Sequence, residues 1–397
     1  MGIELNNEQL YTVMDMESWF RKGIKQLYEI SGAAGTGKTT LVLYLIEQLE
    51  LKLDEVLFVA YMGKAATQLA RNGLPAKTIH SAIYLYDYVP EIDPETHRRI
   101  ILPNGKLKMK GEFVLKDKLK KKIKLIVVDE GGMVPEKIAL DLMSFNLPMI
   151  VLGDLNQLPP VFGKPYFLKQ PDSILHRIMR QKEGDPIVWL SQKILEGKRL
   201  QAGVYGKSSV IHRDDLNDYL FKTSDIVLTE RNSIRNSVNQ YYRANLKKIR
   251  NLDRPYIGEK VICRRNNWDL SIGDGIYFTN GLTGVLSDVD MSSYNGKTIK
   301  ISFMPDFINK TFNGVPVSYH HLFQPEEELS ENEKIGERYT NKIEFAYGIT
   351  VHSSQGSQYP KVTFLEDERG IFGEDVSRRL HYTAITRAQE SITYVLR

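Results

Sequence analysis

One glycine-rich segment constrains this chain more than any other feature of its sequence. Residues 32–39 read Gly-Ala-Ala-Gly-Thr-Gly-Lys-Thr and match the pattern GxxxxGK followed by Ser or Thr. Residues 27–30 before it predict a short buried strand, and residues 40–49 after it have the apolar spacing of a helix. A strand, a glycine-rich turn and a helix N-terminus together form a nest of backbone N–H groups that favours phosphate. The segment therefore predicts a loop that binds a nucleoside triphosphate, either ATP or GTP.

The residue types within this loop match the chemistry of a bound nucleotide. Lys38 is expected to reach the β- and γ-phosphates, and Thr39 is expected to bind Mg²⁺. The glycines permit backbone torsions that other residues avoid and let the backbone approach the nucleotide closely. The other nucleotide contacts predicted in the loop are Gly32, Gly35, Thr36, Gly37 and Thr40.

Polar residues follow two further apolar runs of the predicted parallel sheet. Residues 123–128 end in Asp129 and Glu130, and residues 148–152 lead into a segment that contains Gln157. An α/β protein places its site at the carboxyl ends of its strands, so these side chains are expected near the loop. Asp129 would hold Mg²⁺ through water, and Glu130 would polarise an attacking water. The alternative is that the two carboxylates merely end a strand.

Composition allows a wide range of soluble proteins but excludes some classes. The chain has 397 residues, 42% of them hydrophobic and 26% charged, which is enough for two or three globular domains. Its single cysteine, Cys263, rules out an intrachain disulfide. The N-terminus lacks the pattern of a signal peptide, and no apolar run reaches 18 residues. We therefore expect a cytoplasmic protein without a membrane partner, and the net charge of +4 permits a nucleic-acid partner.

Two stretches interrupt the α/β pattern. Residues 85–122 contain Asn104-Gly105 between strand-like runs, which is a strong hairpin signal, and many lysines. These lysines form either a solvated face or a surface that contacts phosphates, and spacing alone does not decide. Residues 255–325 contain many short strand-like runs and predict a small β-barrel. Buried strands are then predicted again at residues 345–349, 362–365 and 392–396.

Two single residues admit both a simple and a functional interpretation. Gln9 lies in an amphipathic helix that Asn6 or Asn7 could cap, and its amide could read an adenine edge or simply be solvated. His80 has no acidic or cysteine neighbours in sequence, so packing or a backbone contact is more probable than metal binding.

In chain order, these segments resemble the motifs of superfamily 1 helicases, in particular the 5′-to-3′ (1B) branch of RecD-like and Dda-type phage enzymes. The similarity covers essentially the whole chain, and the order of the motifs is more specific than any one motif. It implies an α/β fold with two RecA-like P-loop NTPase lobes, an inserted β-hairpin (pin) and an inserted SH3-like β-barrel. The implied boundaries are 1–84 and 123–160 for the first lobe, 85–122 for the pin, 161–250 and 342–397 for the second lobe, and 251–341 for the barrel.

The resemblance also assigns roles to individual residues. It makes Gln9 the adenine reader and Gln157 a sensor of the γ-phosphate. Arg180 and Arg387 become arginines that the second lobe delivers to the phosphates, and Gln355 and Gly356 would face the nucleotide. The residues implied to contact single-stranded DNA are Lys64, Thr78, His80, Thr350 and His352.

The implied function is that of an ATP- and Mg²⁺-dependent DNA helicase, moving 5′ to 3′ as a monomeric motor. Its partners would be single-stranded DNA, junctions of single- and double-stranded DNA, and replication or recombination proteins. A phage-encoded chain would act in the host cytoplasm. The alternatives are a translocase that strips proteins with little unwinding and a nucleotide-gated binding module, and RNA stays open as the substrate.

Two motifs depart from the family pattern. Gly131-Gly132 stand where the family usually has a small residue followed by serine, and Ser353 stands where lysine is common. The first change predicts weaker communication between the nucleotide and DNA sites, and the second removes one phosphate contact.

Overall fold

The computed structural model describes residues 5–71, 73–93, 96, 98–102, 104–159, 164–177, 179, 185–273, 276–306, 308–323, 340–367 and 373–397. The helices in the first part of the chain are α1 (Asn7–Lys22), α2 (Lys38–Gln48), α3 (Gly63–Arg71), α4 (Ile79–Ile83) and α5 (Glu136–Met143). The strands of this part are β1 (Leu27–Gly32), β2 (Val56–Ala60), β3 (Lys77–Thr78), β4 (Tyr84–Pro90), β5 (Met109–Leu115), β6 (Leu125–Asp129), β7 (Met149–Gly153) and β8 (Ser173–Leu175).

Six of these strands form a parallel sheet in the order β3-β2-β6-β7-β1-β8. Residues 125–128 of β6 and the whole of β7 are buried and almost entirely apolar, as expected for a parallel sheet covered on both faces. Strand β1 is buried as well, although it includes Glu29 and Ser31. We call this sheet and its helices the first lobe. The remaining pair, β4 and β5, forms a separate antiparallel ribbon that leaves the lobe after α4. Near its far end, Leu102 and Lys106 bond across the predicted Asn-Gly turn.

The second part of the chain contains α6 (Pro186–Leu195), α7 (Asp218–Thr223), α8 (Asn232–Tyr241), α9 (Tyr319–Phe323) and α10 (Glu374–Thr386). Its strands are β9 (Gly203–Tyr205), β10 (Ser208–His212), β11 (Ile226–Thr229), β12 (Lys260–Cys263), β13 (Asn267–Ser271), β14 (Tyr277–Phe278), β15 (Thr283–Asp290), β16 (Thr298–Pro305), β17 (Phe312–Ser318), β18 (Ile343–Phe345), β19 (Gly348–Thr350), β20 (Tyr359–Leu365) and β21 (Ala388–Leu396).

A second six-stranded sheet has the order β19-β11-β20-β21-β10-β9, and only the edge strand β9 is antiparallel to its neighbour. With its helices it forms the second lobe. Between α8 and β19, the chain builds a five-stranded antiparallel sheet, β17-β16-β15-β12-β18, and the small ribbon β13-β14. Each lobe and the antiparallel sheet has its own apolar core. The α/β class with parallel sheets is thus confirmed.

Two predicted boundaries are wrong. Strand β8 pairs with β1, so the first lobe continues past residue 160. The strand predicted at residues 345–349 is divided between two sheets, because β18 pairs with β12 and β19 pairs with β11. The antiparallel insertion therefore continues past residue 341. Both errors involve three-residue strands, whose partners are fixed by distant parts of the chain. Within the described ranges, every helix is too short or too polar to span a bilayer.

Candidate nucleotide and nucleic-acid sites

The glycine-rich segment connects β1 to α2, as its sequence predicts. Gly37 caps α2 with a φ of +87°, a torsion that favours glycine. A Cβ at Gly37 would lie 2.7 Å from Nε2 of Gln9, so a side chain there would also have to displace the Gln9 amide. The Lys38 ammonium donates to the carbonyl oxygens of Gly32 and Ala33. The ammonium therefore lies over the loop, where a phosphate would compete for it.

Gln9 joins the first helix to this loop. Its Oε1 accepts from the backbone N–H of Asn6 at 3.1 Å, which completes a capping box at the start of α1. Its Nε2 donates to the carbonyl oxygen of Thr36 at 3.1 Å, and the side chain is buried. The amide thus lies against the loop, and its role as adenine reader stays a prediction.

The two carboxylates lie at the carboxyl end of β6. Burial and, next, the charge of Glu130 together raise the pKa of Asp129 to about 6, although the charge of Lys38 opposes both effects. Asp129 therefore lies within electrostatic reach of the loop lysine. Glu130 has a φ of +52°, a strained torsion of the kind found at functional sites. A Cβ at Gly131 would lie 2.1 Å from Cγ1 of Val151, so packing requires a glycine there. A Cβ at Gly132, where the family usually has serine, would lie 3.7 Å from Cδ1 of Leu168, so packing does not require that glycine.

These residues fit a magnesium-bound nucleotide. A buried carboxylate with a raised pKa gains from a bound cation, and the loop supplies backbone N–H groups and an ammonium for phosphates. Thr39 and Thr40 lie in the first turn of α2, which follows the glycines. Because its pKa is raised, Asp129 takes up a proton more readily than an ordinary aspartate, and a proton competes there with a cation.

Four hydrogen bonds join the segment after β7 to the second lobe, and we call this contact the bonded junction. Tyr382 donates to Oδ2 of Asp154 at 2.7 Å, and Arg379 donates to the carbonyl oxygen of Leu155 at 3.0 Å. Leu158 donates its N–H to Thr383 at 3.0 Å and accepts from Nε2 of Gln355 at 2.8 Å. The Leu158 side chain packs in the core of the second lobe. Gln157 is buried in the same segment, and its Nε2 lies 3.5 Å from Asp154.

Arg387 follows α10 and is almost completely buried. One terminal nitrogen, Nη1, donates to the carbonyl oxygen of Ser357 at 3.1 Å, whereas Nε has no hydrogen-bond partner among the described residues. Burial raises the pKa of Tyr382 well above its usual range, and the charges of Asp154, Arg387 and Glu130 all act on its hydroxyl. Arg387 of the second lobe and Glu130 of the first therefore both lie within electrostatic reach of this hydroxyl.

Arg180 lies outside the described residues. Residues on its N-terminal side are held by the first lobe, because Met179 donates its N–H to the carbonyl oxygen of Gly35 at 2.7 Å. Glu8 of α1 accepts from the backbone of His176 and Arg177. Delivery of Arg180 by the second lobe therefore does not follow from the position of these neighbours.

A channel of about 970 Å³ runs between the two lobes and the antiparallel sheet. It brings together four of the five residues predicted to contact DNA: Thr78 and His80 from the first lobe, and Thr350 and His352 from the second. Burial lowers the pKa of both histidines, so their rings are neutral near pH 7 and suited to stacking or neutral hydrogen bonds. The start of α8 also borders the channel through Asn232 and Ser233, and a helix N-terminus favours anions.

An ionic cluster in the wall of this channel was not predicted from the sequence. The carboxylate of Glu344 pairs with Arg235 at 2.6 Å and with Arg264 at 2.5 Å, and it lies 3.5 Å from His321. Arg264 also donates to Ser353 at 2.9 Å, so a cation is present beside the position where the family usually has lysine. The residues of this cluster are separated by up to 109 positions in sequence (235 to 344), and no sequence motif indicates that they meet.

Three residues lie in positions that do not match their predicted contacts. The Lys64 ammonium is buried without a hydrogen bond among the described residues, in a second cavity of about 200 Å³, rather than in the channel. Its predicted role as a strand contact is therefore at odds with this structure. Gln355 borders the channel and bonds to Leu158, and Gly356 lies against Ala65 of α3, with its would-be Cβ 3.4 Å from that side chain. These positions favour contacts between the lobes over the predicted contact with a nucleotide.

Two models of known protein families match this chain. A model described as an AAA domain matches residues 5–215, which is more than half of the chain, and one described as a UvrD-like helicase C-terminal domain matches residues 345–393. The chain therefore belongs to the superfamily 1 helicases, in the 1B branch of Pif1- and RecD-like proteins.

Individual relatives are distant. An uncharacterized protein of Methanocaldococcus jannaschii is 25% identical over 99% of this chain, but the chain spans only 38% of that relative. A probable conjugal transfer protein TraA of Sinorhizobium fredii is 24% identical over 93% of the chain, which spans 31% of it. The ATP-dependent DNA helicase Pif1 of Campylobacter jejuni is 22% identical, with 84% of this chain and 81% of the relative covered.

Solved structures share the fold at low sequence identity. The crystal structure of Pif1 helicase from Candida albicans has a TM-score of 0.51 and 18% identity, covering 99% of this chain and 94% of that one. A Bacteroides Pif1 bound to single-stranded DNA has a TM-score of 0.52 and 17% identity, with 99% and 92% covered. These similarities establish the two-lobe fold.

Proposed function

We propose that this chain is an ATP-dependent DNA helicase that moves 5′ to 3′ on single-stranded DNA and separates the duplex ahead of it. One contact carries the proposal. Gln355 borders the channel and also bonds to Leu158, in the segment that contains Gln157. A rearrangement at the phosphates could therefore reach the channel through one side chain, which is the coupling that a motor needs.

In this proposal, the first lobe holds the nucleotide. Lys38 and the loop backbone bind the phosphates, Thr39 and Asp129 hold Mg²⁺, and Glu130 orients the attacking water. Bound Mg²⁺ would neutralise charge that develops on the phosphates. Gln9, Gln157 and Arg387 keep their expected roles, and Arg180 would face the phosphates from a segment whose described neighbours bond to the first lobe. The role of Arg387 is supported by its burial and by its charge acting on the same Tyr382 hydroxyl as that of Glu130.

The channel would hold the strand. Its described lining includes three arginines, at 231, 235 and 264, against two glutamates, at 230 and 344, so the charged residues leave one net positive charge. Thr78, His80, Thr350 and His352 lie on opposite sides of this space, and relative movement of the lobes would change both sets of contacts. Such a channel should bind with strong salt dependence and little sequence preference.

The deciding experiment measures ATP hydrolysis and unwinding on duplexes with either a 5′ or a 3′ single-stranded tail. We expect hydrolysis stimulated by single-stranded DNA, unwinding of the 5′-tailed duplex only, and loss of both with Lys38→Ala. Indifference of hydrolysis to DNA would refute the motor, and unwinding of only the 3′-tailed duplex would refute the direction. Translocation without unwinding would favour the protein-stripping alternative.

A further inference from the structure

A continuous row of aromatic rings leads from the channel onto the exposed ribbon β4-β5. Tyr61 and His80 border the channel, with ring centroids 5.8 Å apart. The His80 ring lies 5.4 Å from that of Phe113 on β5, and Phe113 lies 5.4 Å from Tyr86 on β4. Tyr88 continues the row at 6.1 Å from Tyr86. The row therefore starts inside the channel and ends on the stem of the ribbon.

The two faces of this ribbon differ in chemistry. Tyr84, Tyr86 and Tyr88 alternate along β4 and so share one face, and Phe113 lies directly opposite Tyr86 on that face. On the other face, Asp87 lies directly opposite Glu112. Two adjacent carboxylates repel a nucleic acid, whereas an aromatic face does not.

The aromatic face is exposed, and a glycine on the opposite strand leaves space for one of its rings. Tyr86 is 41% exposed and Tyr88 is 59% exposed, although both are large aromatic side chains. The Tyr86 ring lies across the opposite strand, where a Cβ at Gly111 would be 2.1 Å from its hydroxyl oxygen. The glycine at 111 therefore makes room for the ring in this position.

The surroundings of Tyr86 favour a base over a phosphate. Burial, followed by the charge of Asp269 on β13, raises the pKa of the Tyr86 phenol. The carboxylate of Asp269 would repel a phosphate at this point, whereas the face of a nucleobase is uncharged and stacks on aromatic rings. Asn266 and Thr279, at the ends of the β13-β14 ribbon, border the channel, so the channel and the aromatic row share this wall.

From these observations, we propose that Tyr86 and Tyr88 form a stacking platform for unpaired nucleobases of the strand that occupies the channel. The inference rests on the proposed nucleic-acid function of the channel. It places base contacts on the stem of the ribbon, where the rings are, rather than at the turn near Asn104. Stacking on tyrosine accepts every base, so the platform adds affinity without sequence preference.

The test uses the full chain and a fluorescently labelled oligothymidylate. Tyr86→Ala and Tyr88→Ala should each raise the Kd roughly 5- to 150-fold, the range for loss of one stacked base. Tyr86→Phe and Tyr88→Phe should bind like the wild type, because they keep the ring. Leu85→Ala and Val114→Ala, on the carboxylate-bearing face, are the matched controls and should also leave the Kd unchanged.

Oligonucleotides with abasic sites separate stacking from other effects. If a base stacks on Tyr88, Tyr88→Ala should lose its effect when the bases along the oligonucleotide are removed. Thermal unfolding is measured for both alanine variants. If Tyr86→Ala misfolds, Tyr88→Ala, whose side chain is more exposed, still tests the platform. If the wild type binds the oligonucleotide and both alanine variants bind it with the same Kd, the platform is overturned and the helicase proposal stays intact. Failure of the wild type to bind would instead overturn the proposed function.

Discussion

The second lobe meets the rest of the chain in two ways that contrast chemically. At the bonded junction, the polar groups named from Asp154 to Leu158 have partners on Arg379, Tyr382, Thr383 and Gln355. The second contact, which we call the polar cavity, lies between α3, the end of β16 and the start of β20. There the Lys64 ammonium is buried without a hydrogen bond among the described residues, and so is Nε of Arg387, whose Nη1 bonds to Ser357 in the wall of the cavity.

The residues around the polar cavity nevertheless interact through their charges. Asp306 acts on both Lys64 and Tyr359, and Arg387 acts on Tyr359. Buried polar groups without partners are uncommon and costly, so a contact of this kind loses little when it opens. The difference suggests that the bonded junction keeps the lobes together, while the polar cavity rearranges as they move. The following predictions test that division, beginning with the largest effect.

Arg387→Ala should remove most of the turnover while leaving the fold intact. An arginine delivered to the transferring phosphate contributes about 10³–10⁵ in turnover. Among the described residues, by contrast, the Arg387 side chain donates a single hydrogen bond, to Ser357. The measurements are steady-state ATP hydrolysis and thermal unfolding. Arg379→Ala, on the preceding helix, removes one bond of the bonded junction and serves as the control, with a small effect on turnover. A loss below tenfold in Arg387→Ala would contradict the proposed role.

Leu158→Ala, unlike Arg387→Ala, should mainly lower the free energy of unfolding. This side chain extends from the first lobe into the core of the second and is buried. Truncation of a buried leucine costs about 2–5 kcal/mol, depending on how far the cavity collapses. Calorimetry of the variant is compared with that of Leu140→Ala, whose side chain is largely exposed and should change little. Equal stability of the two variants would show that the junction is not a structural contact.

The sequence predicts the site best where one short segment contains all the information. The loop from Gly32 to Thr39 and the pair Asp129-Glu130 follow their predicted strands because glycine torsions and strand ends are local properties. Thr78, His80, Thr350 and His352 also meet as expected, although their shared channel was implied by a family resemblance and not by their spacing.

Properties that depend on distant partners were not predictable. Lys64 stands among apparent strand contacts in sequence, yet its position depends on Asp306, more than 200 residues later. The cluster around Glu344 likewise has no signal in sequence, because it combines α8, β12, α9 and β18. Short strands such as β8 and β18 were assigned to the wrong unit for the same reason.

Lys64→Met should stabilise the protein in a pH-dependent manner. Burial lowers the pKa of Lys64 from 10.5 to about 8, and the charge of Asp306 offsets this only in part. At a pH between these two pKa values, Lys64 is protonated in the unfolded state and largely neutral in the folded state. The contribution of Lys64 to wild-type stability therefore becomes less unfavourable as the pH rises. The variant should exceed the wild type by about 3 kcal/mol at pH 7 and by about 1 kcal/mol at pH 9.5.

The measurement is thermal or denaturant unfolding of both proteins at each pH. Lys77→Met, at an exposed lysine of β3, is the control and should show no such trend. A stability difference between Lys64→Met and the wild type that is constant from pH 7 to 9.5 would show that the ammonium is not desolvated in the polar cavity.

Tyr382→Phe should have the smallest effect and no dependence on pH. The variant loses one hydrogen bond to Asp154, whose Oδ2 would keep only the long contact of 3.5 Å with Gln157. Loss of a buried bond to a charged group costs about 1–2 kcal/mol. Because the pKa of the phenol is held well above its usual range, the hydroxyl donates throughout pH 7 to 9.5. A constant difference from the wild type over the range in which Lys64→Met changes would distinguish the two contacts, whereas parallel trends would show that they respond as one unit.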